Sequence, residues 1–496
     1  MKRRLLGALA VAITLVASTV PAHADLAQPI GTSEFSCKDW AMYGRTLTRE
    51  FAQPCSKIDR SNVATLVPKW DYKTPKPVTA SPAVVDGVVY AGSWDGVMYA
   101  LDAEDGRVKW TFQTPPAAGA AFGPIVSSAA VADVATSRGP QRLVLFGSGP
   151  RFFALDAKTG HEVWDVDLSQ GKKDTPIEIE SSPVVWEGRV YVGVDPHDHP
   201  PSETGGVGGG LLVLNAATGK TLWDFDPEDG YPAHGCDGVW SSPTIDVADD
   251  LVVFGTASCS HDVPWSPYTD AVVALDATPR GNIPRVVWYY VPYEPNRNDW
   301  DFGATPNLYT DAKGRRVIGA GNKDGRYYTF NARTGHLHWH ARVAQPGDVQ
   351  DDFSIGGFIG SPAVWKGNVY GATAIGGPPY FHAIDGSNGD VMWSGPAAPS
   401  YAATAVVNGV VLDGALDGTF KAFDADSGQP LWAEPLLGPI SSGAAVVGDS
   451  VYVGSGTSSS DACQKGVPVV SDACVAAFNQ VLGSTGGISA FHLAGS

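Results

Sequence analysis

The feature that most constrains the fold of this chain is a short phrase that recurs along most of the sequence. The phrase contains an apolar residue, Asp or Asn, a turn that ends in Gly, and a Trp four residues after that Gly, as in Tyr99–Trp110. Further complete copies are Phe153–Trp164, Val213–Trp223, Tyr328–Trp339, His382–Trp393 and Lys421–Trp432. A looser copy spans Val273–Trp288, and one that stops at the turn spans Gly487–Ala494. These eight copies predict eight repeated structural units.

Each copy predicts a strand, a tight turn and a second strand. The Asp or Asn side chain accepts hydrogen bonds within the turn, and Gly supplies the positive φ that the turn requires. Another hairpin precedes each copy, as in Ser81–Gly92, so that one unit holds about four strands. Successive copies place their Trp residues 39 to 65 positions apart, a length that suits propeller blades. The sequence therefore predicts an all-β fold, an eight-bladed β-propeller, with each Trp buried between neighbouring blades.

The ends of the chain are expected to meet in the last blade. Because the eighth copy stops at its turn, we expect the early segment Val67–Lys73 to supply the missing strand and to close the ring without an exposed edge. This gives a predicted division into a signal peptide at 1–24, an N-terminal extension at 25–65 and the propeller at 66–496.

The first residues have the regions of a secretory signal. Met1–Arg4 carries positive charge, Leu5–Val20 is apolar, and Ala22–Ala24 supplies small residues before an expected cleavage at Asp25. A membrane anchor is the alternative, but the apolar run is short for a bilayer span and no second run follows it. We therefore expect a secreted or periplasmic protein that does not span a membrane.

The six cysteines and the net charge fit that compartment. An even number of cysteines in an exported chain indicates disulfides, although their connectivity is not fixed by the sequence. The simplest assignment pairs neighbours: Cys37 with Cys55, Cys236 with Cys259, and Cys463 with Cys474. The formal charge of −18 argues against binding to nucleic acid, which requires clustered Lys and Arg.

The repeated phrase resembles the docking motif of the quinoprotein alcohol dehydrogenases, and the resemblance covers nearly all of the mature chain. Within that superfamily the chain looks most like the polyvinyl alcohol dehydrogenases. Four segments carry this likeness: Trp40–Arg45, Asn62–Trp70, Trp240–Asp246 and Asp301–Pro306.

The resemblance implies a site for pyrroloquinoline quinone (PQQ) and Ca²⁺ in the central channel. Trp240 matches the Trp on which the quinone lies in the family. Asp301 matches the catalytic base, with Asp299 as its nearest rival. Lys323 falls where the family has the Arg or Lys that contacts the quinone oxygens, where a cation would stabilise the reduced quinone.

The resemblance also implies a set of Ca²⁺ ligands. Asp301 would be one of them. Ser258 stands where the family usually has an Asn ligand, and Asp198 stands where it has a Glu. A shorter carboxylate is still a hard oxygen ligand, so these departures are expected to weaken the site rather than to abolish it. The adjacent cysteines that many family members carry are absent from the segment that starts at Phe122.

A second possible metal site involves histidines. The segment Asp195–Pro201 contains two of them, and together with His234 and His261 it could hold a transition metal, since imidazole and carboxylate suit zinc or copper. The alternative is that these are solvated loop residues.

Two functions from different classes follow. The first is an exported PQQ-dependent alcohol dehydrogenase that oxidises a secondary or polymeric alcohol. It would pass electrons to an external acceptor such as a cytochrome c, since no Cys-x-x-Cys-His motif for haem attachment occurs. The alternative is a non-catalytic propeller that serves as a binding or assembly scaffold.

Overall fold

The computed structural model describes residues 37–495 except for 118–122, 173–174, 198–206, 229–237, 259–265, 294–297, 347–348, 351–352, 355, 375–377, 396 and 457–484. Nearly all regular structure in these residues is β-strand. The 3-10 helices are Val63–Thr65 and Arg280–Asn282. Within the described part of the chain, no helix has the length and apolar character needed to cross a bilayer.

The strands form eight sheets that are the blades of a propeller, as the repeats predicted. Blade 1 consists of Ala83–Val85, Val88–Gly92, Val97–Asp102 and Val108–Gln113. Blade 2 consists of Ala130–Thr136, Gly139–Ser148, Arg151–Asp156 and Glu162–Asp167. Blade 3 consists of Val184–Trp186, Arg189–Val194, Gly210–Asn215 and Thr221–Phe225. Blade 4 consists of Thr244–Asp246, Leu251–Gly255, Val272–Asp276 and Val286–Tyr290.

The second half of the ring repeats this plan. Blade 5 consists of Asn307–Thr310, Arg316–Gly321, Arg326–Asn331 and Leu337–Arg342. A separate hairpin of Val349–Gln350 and Phe353–Ser354 follows it. Blade 6 consists of Ala363–Trp365, Asn368–Ala372, Phe381–Ile384 and Val391–Gly395. Blade 7 consists of Ala405–Val407, Val410–Gly414, Thr419–Asp424 and Pro430–Pro435, with Ala52–Gln53 added in parallel to the first of these.

Blade 8 joins the two ends of the chain. Its strands Ala445–Val447, Ser450–Ser455 and Gly486–Leu493 are completed by Leu66–Thr74, which pairs antiparallel with Gly486–Leu493. The predicted closure of the ring by the early strand is confirmed.

The Trp of the repeated phrase fastens one blade to the next. Trp110 donates its indole N–H to the Ala157 carbonyl, 3.0 Å away. Its ring lies on Gly160 in the turn of blade 2, where an added Cβ would come within 2.6 Å of the indole. The same indole-to-carbonyl bond joins Trp164 to Ala216, Trp288 to Ala332 and Trp393 to Ala425. The predicted burial between blades is confirmed for Trp110, Trp164 and Trp288, whereas Trp393 is partly buried. The Gly of each motif is needed to make room for the ring.

A belt of hydrogen bonds runs around the channel just before the first strand of each blade. In each step, a backbone N–H of one blade donates to the hydroxyl of the equivalent residue in the next blade. The steps run from Gly443 to Ser81, Ser128, Ser182, Ser242, Thr305 and Ser361. Ala403 and Gly443 hold the equivalent positions in blades 7 and 8 and have no hydroxyl. The first strand of each blade is therefore the inner one, because the belt joins these positions directly.

Residues 40–53 make one turn inside this ring, and we refer to them as the crossing segment. Its backbone bonds in chain order to inner-strand residues Val84, Val131, Ile245, Leu308, Val364 and Val406 of blades 1, 2, 4, 5, 6 and 7. Arg49, which is fully buried, donates to the Ser182 and Pro183 carbonyls of blade 3, and Gln53 donates to the Val446 carbonyl of blade 8. The predicted disulfide between Cys37 and Cys55 is present and ties the two ends of this segment. The crossing segment thus touches all eight blades.

Candidate active site

Four of the predicted site residues meet where blades 4 and 5 adjoin. Trp240 lies four residues before the inner strand of blade 4, and Ser258 lies three residues beyond the second strand of that blade. Asp301 precedes the inner strand of blade 5, and Lys323 follows its second strand. Because the second strand runs antiparallel to the first, the residues before one and after the other lie at the same end of the blade.

Asp301 is held by three different donors. Its carboxylate accepts from the Trp240 indole N–H at 2.9 Å, the Ser258 backbone N–H at 3.0 Å and the Lys323 ammonium at 3.0 Å. The residue is only 3% exposed. Burial alone would raise the pKa of this carboxyl, but the Lys323 charge and the hydrogen bonds outweigh it, and the pKa lies below its ordinary value. Asp301 is therefore an ionised, oriented carboxylate at neutral pH.

Asp299 shares two of these partners. Its carboxylate oxygens lie 3.0 and 3.2 Å from the Lys323 ammonium, and one of them accepts from the Ser258 hydroxyl at 3.1 Å. Burial acts to lower the pKa of Lys323, but Asp299 and Asp301 raise it well above its ordinary value. The ammonium is therefore charged at neutral pH and lies between the side chains of Asp299 and Asp301. Sequence reasoning named Asp299 only as a rival base and did not predict that it binds the same cation.

Trp240 offers a flat surface beside these charges. An added Cβ on Gly303 would lie 1.5 Å from the indole, so Gly303 is required by the position of the ring. The Lys323 ammonium lies 5.2 Å from the centre of the indole, within the range of a cation–π contact. A planar ligand that stacked on this indole would meet the ammonium and the Asp301 carboxylate.

A second ionisable cluster lies on blade 3 and was not predicted as a unit. The His197 Nε2 is 3.3 Å from a carboxylate oxygen of Glu178 and 3.3 Å from one of Glu180, while its Nδ1 is 3.8 Å from Asp195. Glu178 and Asp195 are joined by a β-bridge, which fixes the arrangement. The ligand atoms of Glu178, Glu180 and His197 lie within 4.8 Å of one another, a spacing that could hold a metal ion.

This blade 3 cluster lies on the same channel wall as Trp240. Glu180 precedes the inner strand of blade 3 by four residues, as Trp240 does in blade 4. Burial raises the pKa of Glu180 to about 8, an effect that the charges of His197 and Lys323 reduce. Burial acts to lower the pKa of His197, but the surrounding carboxylates raise it to about 10. The signal in the sequence was the alternation Ile177-Glu-Ile-Glu180, which places two carboxylates on one side of an extended segment.

Several predicted residues fall outside the described residues. They are Asp198, His234, His261, Cys236, Cys259, Cys463 and Cys474. Their predicted roles as metal ligands or disulfide partners stay predictions.

The described residues fit the cofactors that the resemblance implied. Asp299, Asp301 and Ser258 offer hard oxygen atoms of the kind that Ca²⁺ prefers. The indole of Trp240 offers a stacking surface for a planar quinone, and Lys323 offers a positive charge next to it.

The sequence of the chain matches known protein families. The family model described as "Glucose/ethanol/alcohol dehydrogenase, beta-propeller domain" matches residues 40–352, which is more than half of the chain. This range contains the Trp240, Asp301 and Lys323 site. A second model, described as "Outer membrane protein assembly factor BamB", matches residues 323–479.

Curated relatives and solved structures agree with the first match. A polyvinylalcohol dehydrogenase of Pseudomonas sp is 27% identical in an alignment that covers 79% of this chain and 67% of the relative. That of Sphingopyxis sp. (strain 113P3) is 27% identical over 76% of this chain and 64% of the relative. The chain thus spans about two thirds of the length of these relatives.

The fold is shared with a quinohemoprotein alcohol dehydrogenase, ADHIIG of Pseudomonas putida HK5. Its structure matches with a TM-score of 0.73 and 20% identity over 93% of this chain and 81% of that one. This likeness concerns the fold alone. The family match over residues 40–352 shows that the chain belongs to the PQQ-dependent alcohol dehydrogenase family of quinoprotein oxidoreductases.

Proposed function

We propose that this chain is an exported PQQ-dependent alcohol dehydrogenase with Asp301 as its base. The observation that carries the proposal is the buried Asp301 carboxylate, which three donors orient beside the face of Trp240. A base for alcohol oxidation has to be ionised and within reach of the substrate hydroxyl. The lowered pKa of Asp301 meets the first of these conditions at neutral pH.

Each described residue has a chemical role in this proposal. PQQ, when bound, supplies the oxidant that takes two electrons from the alcohol. Trp240 holds one face of a planar ligand, and Asp301 takes the hydroxyl proton of the alcohol. The Lys323 ammonium stabilises negative charge that develops on an oxygen atom next to it, because it is buried and already oriented.

We also propose that a Ca²⁺ ion is held at this site by Asp301, Ser258 and Asp198. The Ser258 hydroxyl and the Asp301 carboxylate are brought together by the bond between the Ser258 N–H and Asp301. A cation with oxygen ligands would act as a Lewis acid toward a quinone carbonyl.

The proposed substrate is a secondary or polymeric alcohol. Its support is that the two relatives named above are polyvinylalcohol dehydrogenases. Electrons would pass to an external acceptor such as a cytochrome c. The charged and apolar regions of residues 1–24 support export to the periplasm or the medium.

The test is reconstitution of the purified protein with PQQ and Ca²⁺. We expect a higher melting temperature, and reduction of an artificial electron acceptor in the presence of primary, secondary or polymeric alcohols. Asp301→Asn should lower kcat by about 10²-fold or more. Asp413→Asn is a control for the replacement of a buried Asp, since Asp413 is equally buried in blade 7 and is hydrogen-bonded to Thr404. Burial raises the pKa of Asp413 to about 8, so this variant changes the side chain without removing a charge at neutral pH. Absence of both the melting shift and turnover in the folded, oxidised wild type would contradict the proposal.

A binding or assembly scaffold is the second candidate. The match of residues 323–479 to the BamB model favours it. A folded wild-type protein that neither binds PQQ nor oxidises alcohols would support this function instead.

A further inference from the structure

Three carboxylate oxygens converge on one point between Asp299 and Asp301. The point is occupied by the Lys323 ammonium, which lies 3.0 and 3.2 Å from the Asp299 oxygens and 3.0 Å from Asp301 Oδ2. An ammonium nitrogen and a metal ion attract the same ligands, since both are small cations that are bound by oxygen atoms. The two carboxylates therefore form a seat for a cation.

Ser258 links both walls of this seat. Its backbone N–H donates to Asp301 Oδ1 at 3.0 Å, and its hydroxyl donates to Asp299 Oδ1 at 3.1 Å. The carboxylates of Asp299 and Asp301 are thus oriented by the same two neighbours, Ser258 and Lys323. Asp301 differs in that it also accepts from Trp240.

The backbone keeps Asp299 in this position. Its φ is 49°, in the left-handed region that non-glycine residues adopt rarely. Asp299 is 7% exposed, and the neighbouring Trp300 carbonyl accepts from the Asn322 side chain at 2.7 Å. A surface carboxylate that only balanced a lysine charge would not require such a constrained and buried position.

We propose that Asp299 is a ligand of the catalytic cation in this chain, together with Asp301 and Ser258. This inference rests on the proposed function, because it assigns a further ligand to the same Ca²⁺ ion. The charges agree with it. A divalent cation that took the position of the Lys323 ammonium would be neutralised by the two carboxylates, and the displaced ammonium would face the anionic cofactor.

The consequence is that the affinity of the site for a cation depends on Asp299 about as much as on Asp301. The number of charged ligands sets the affinity of oxygen sites for Ca²⁺ over several orders of magnitude. Asp299→Asn keeps the shape of the side chain and one oxygen atom but removes the charge. We expect the dissociation constant to rise by about tenfold or more.

Binding can be measured without turnover by luminescence of Tb³⁺, a hard cation that also prefers oxygen ligands. The Trp240 indole N–H is hydrogen-bonded to Asp301, so excitation energy absorbed by this indole should be transferred to a Tb³⁺ ion bound between Asp299 and Asp301. Tb³⁺ is titrated into the full chain, then displaced with Ca²⁺. Asp299→Asn and Asp301→Asn should both weaken binding, Trp240→Phe should reduce the emission, and the control Asp413→Asn should change neither.

A second variant keeps the test informative if Asp299→Asn does not fold. Lys323→Met empties the seat of its ammonium and leaves both carboxylates. We expect Tb³⁺ and Ca²⁺ to bind about tenfold or more tightly to this variant in the absence of PQQ, and its melting temperature to rise with added Ca²⁺. Unchanged or weaker binding would contradict the idea that the ammonium marks a cation position.

The outcomes separate this inference from the proposed function. If the wild type turns over alcohols and Asp301→Asn weakens Tb³⁺ binding while Asp299→Asn binds within twofold of the wild type, Asp299 is not a ligand and the enzyme proposal stands. If the wild type neither turns over alcohols nor binds Tb³⁺ or Ca²⁺, both proposals fail.

Discussion

Two clusters of ionisable residues on the channel wall use the same arrangement with different chemistry. In one, Lys323 lies between Asp299 and Asp301. In the other, His197 lies between Glu178 and Glu180. The pKa of Lys323 is raised well above its ordinary value, so the lysine stays charged around neutral pH, whereas the pKa of His197 is raised to about 10 and its charge is lost as the pH rises through that value. The first cluster is thus a fixed electrostatic feature and the second a titratable one.

Burial separates the two clusters only in part. The side chains of Lys323, Asp299 and Asp301 are 4 to 9% exposed, whereas in the second cluster His197 and Glu180 are 22% and 19% exposed and Glu178 is fully buried. A permanent charge is stabilised in a dry position only when oriented partners compensate it. A group that exchanges protons with solvent needs access to water. An equivalent position in neighbouring blades therefore does not define a role, because Glu180 and Trp240 both lie four residues before an inner strand but belong to clusters with different chemistry.

The largest expected effect separates the two clusters by activity. Asp301→Asn should lower kcat by about 10²-fold or more, which is the range for loss of a general base. Glu180→Gln should lower it by less than about tenfold, because Glu180 is not the proposed base. Steady-state assays of the reconstituted protein with a secondary alcohol measure both. Equal losses in the two variants would mean that the blade 3 cluster takes part in the proton transfer.

The next effect concerns stability. Lys323→Met leaves two buried carboxylates without their cation and should lower the free energy of unfolding by about 3 to 5 kcal/mol. His197→Gln removes the partner that lies 3.3 Å from both Glu178 and Glu180, and should cost about 1 to 3 kcal/mol. Urea denaturation at neutral pH without added metal gives both values. A larger loss for the histidine variant would reverse the assignment of the fixed and titratable clusters.

The pH dependence of stability sharpens this contrast. The pKa of His197 is raised to about 10 in the folded protein, from an ordinary value of about 6.5. Its stabilising contribution is therefore complete below about pH 6.5 and is lost as the pH rises through about 10. The pKa of Glu180 is raised to about 8, so ionisation of Glu180 also lowers the free energy of unfolding as the pH rises. The unfolding free energy of the wild type should fall between pH 6.5 and 9.5.

His197→Gln is the matched variant for that measurement. It should show a clearly smaller fall in the free energy of unfolding over the same pH range. A wild-type slope that persists in His197→Gln would show that other groups produce it.

The smallest expected effect distinguishes the two bonds of Ser258. Ser258→Ala removes the hydroxyl that donates to Asp299 but keeps the backbone N–H that donates to Asp301. We expect a loss of about 0.5 to 1.5 kcal/mol in the free energy of unfolding, the usual net value of one hydrogen bond. Thermal denaturation of the apo protein checks it, and a loss several times larger would mean that the hydroxyl also orients Lys323.

The fold was predictable because its determinants are local and repeated. Asp102 and Gly106 fix a turn whatever the rest of the chain does, and the turn recurs in the other blades. Trp240, Asp301 and Lys323 were proposed from the resemblance to a known family, and not from the repeats. In the structure each of them lies a few residues from the end of a strand, which brings the three together where blades 4 and 5 adjoin.

Contacts between distant segments could not be read in this way. Glu180 reaches the level of Trp240 only because the blades are wound into a ring, and aligning the residues four positions before each inner strand would have revealed it. The left-handed backbone of Asp299, which brings its carboxylate onto Lys323, has no sequence signature at an Asp. The path of the crossing segment depends on all eight blades at once.

That path has a consequence for the order in which the protein can assemble. The crossing segment is made early in synthesis, yet its bonds reach residue 446, and Leu66–Thr74 has its partner in residues 486–493. Neither can acquire its native neighbours until nearly the whole chain has been synthesised. Such long-range pairing makes folding slow and global rather than blade by blade. The Cys37–Cys55 disulfide joins the residues on either side of the crossing segment, which the completed ring of blades surrounds. Its reduction should therefore loosen the contacts of the inner strands before those of the outer strands.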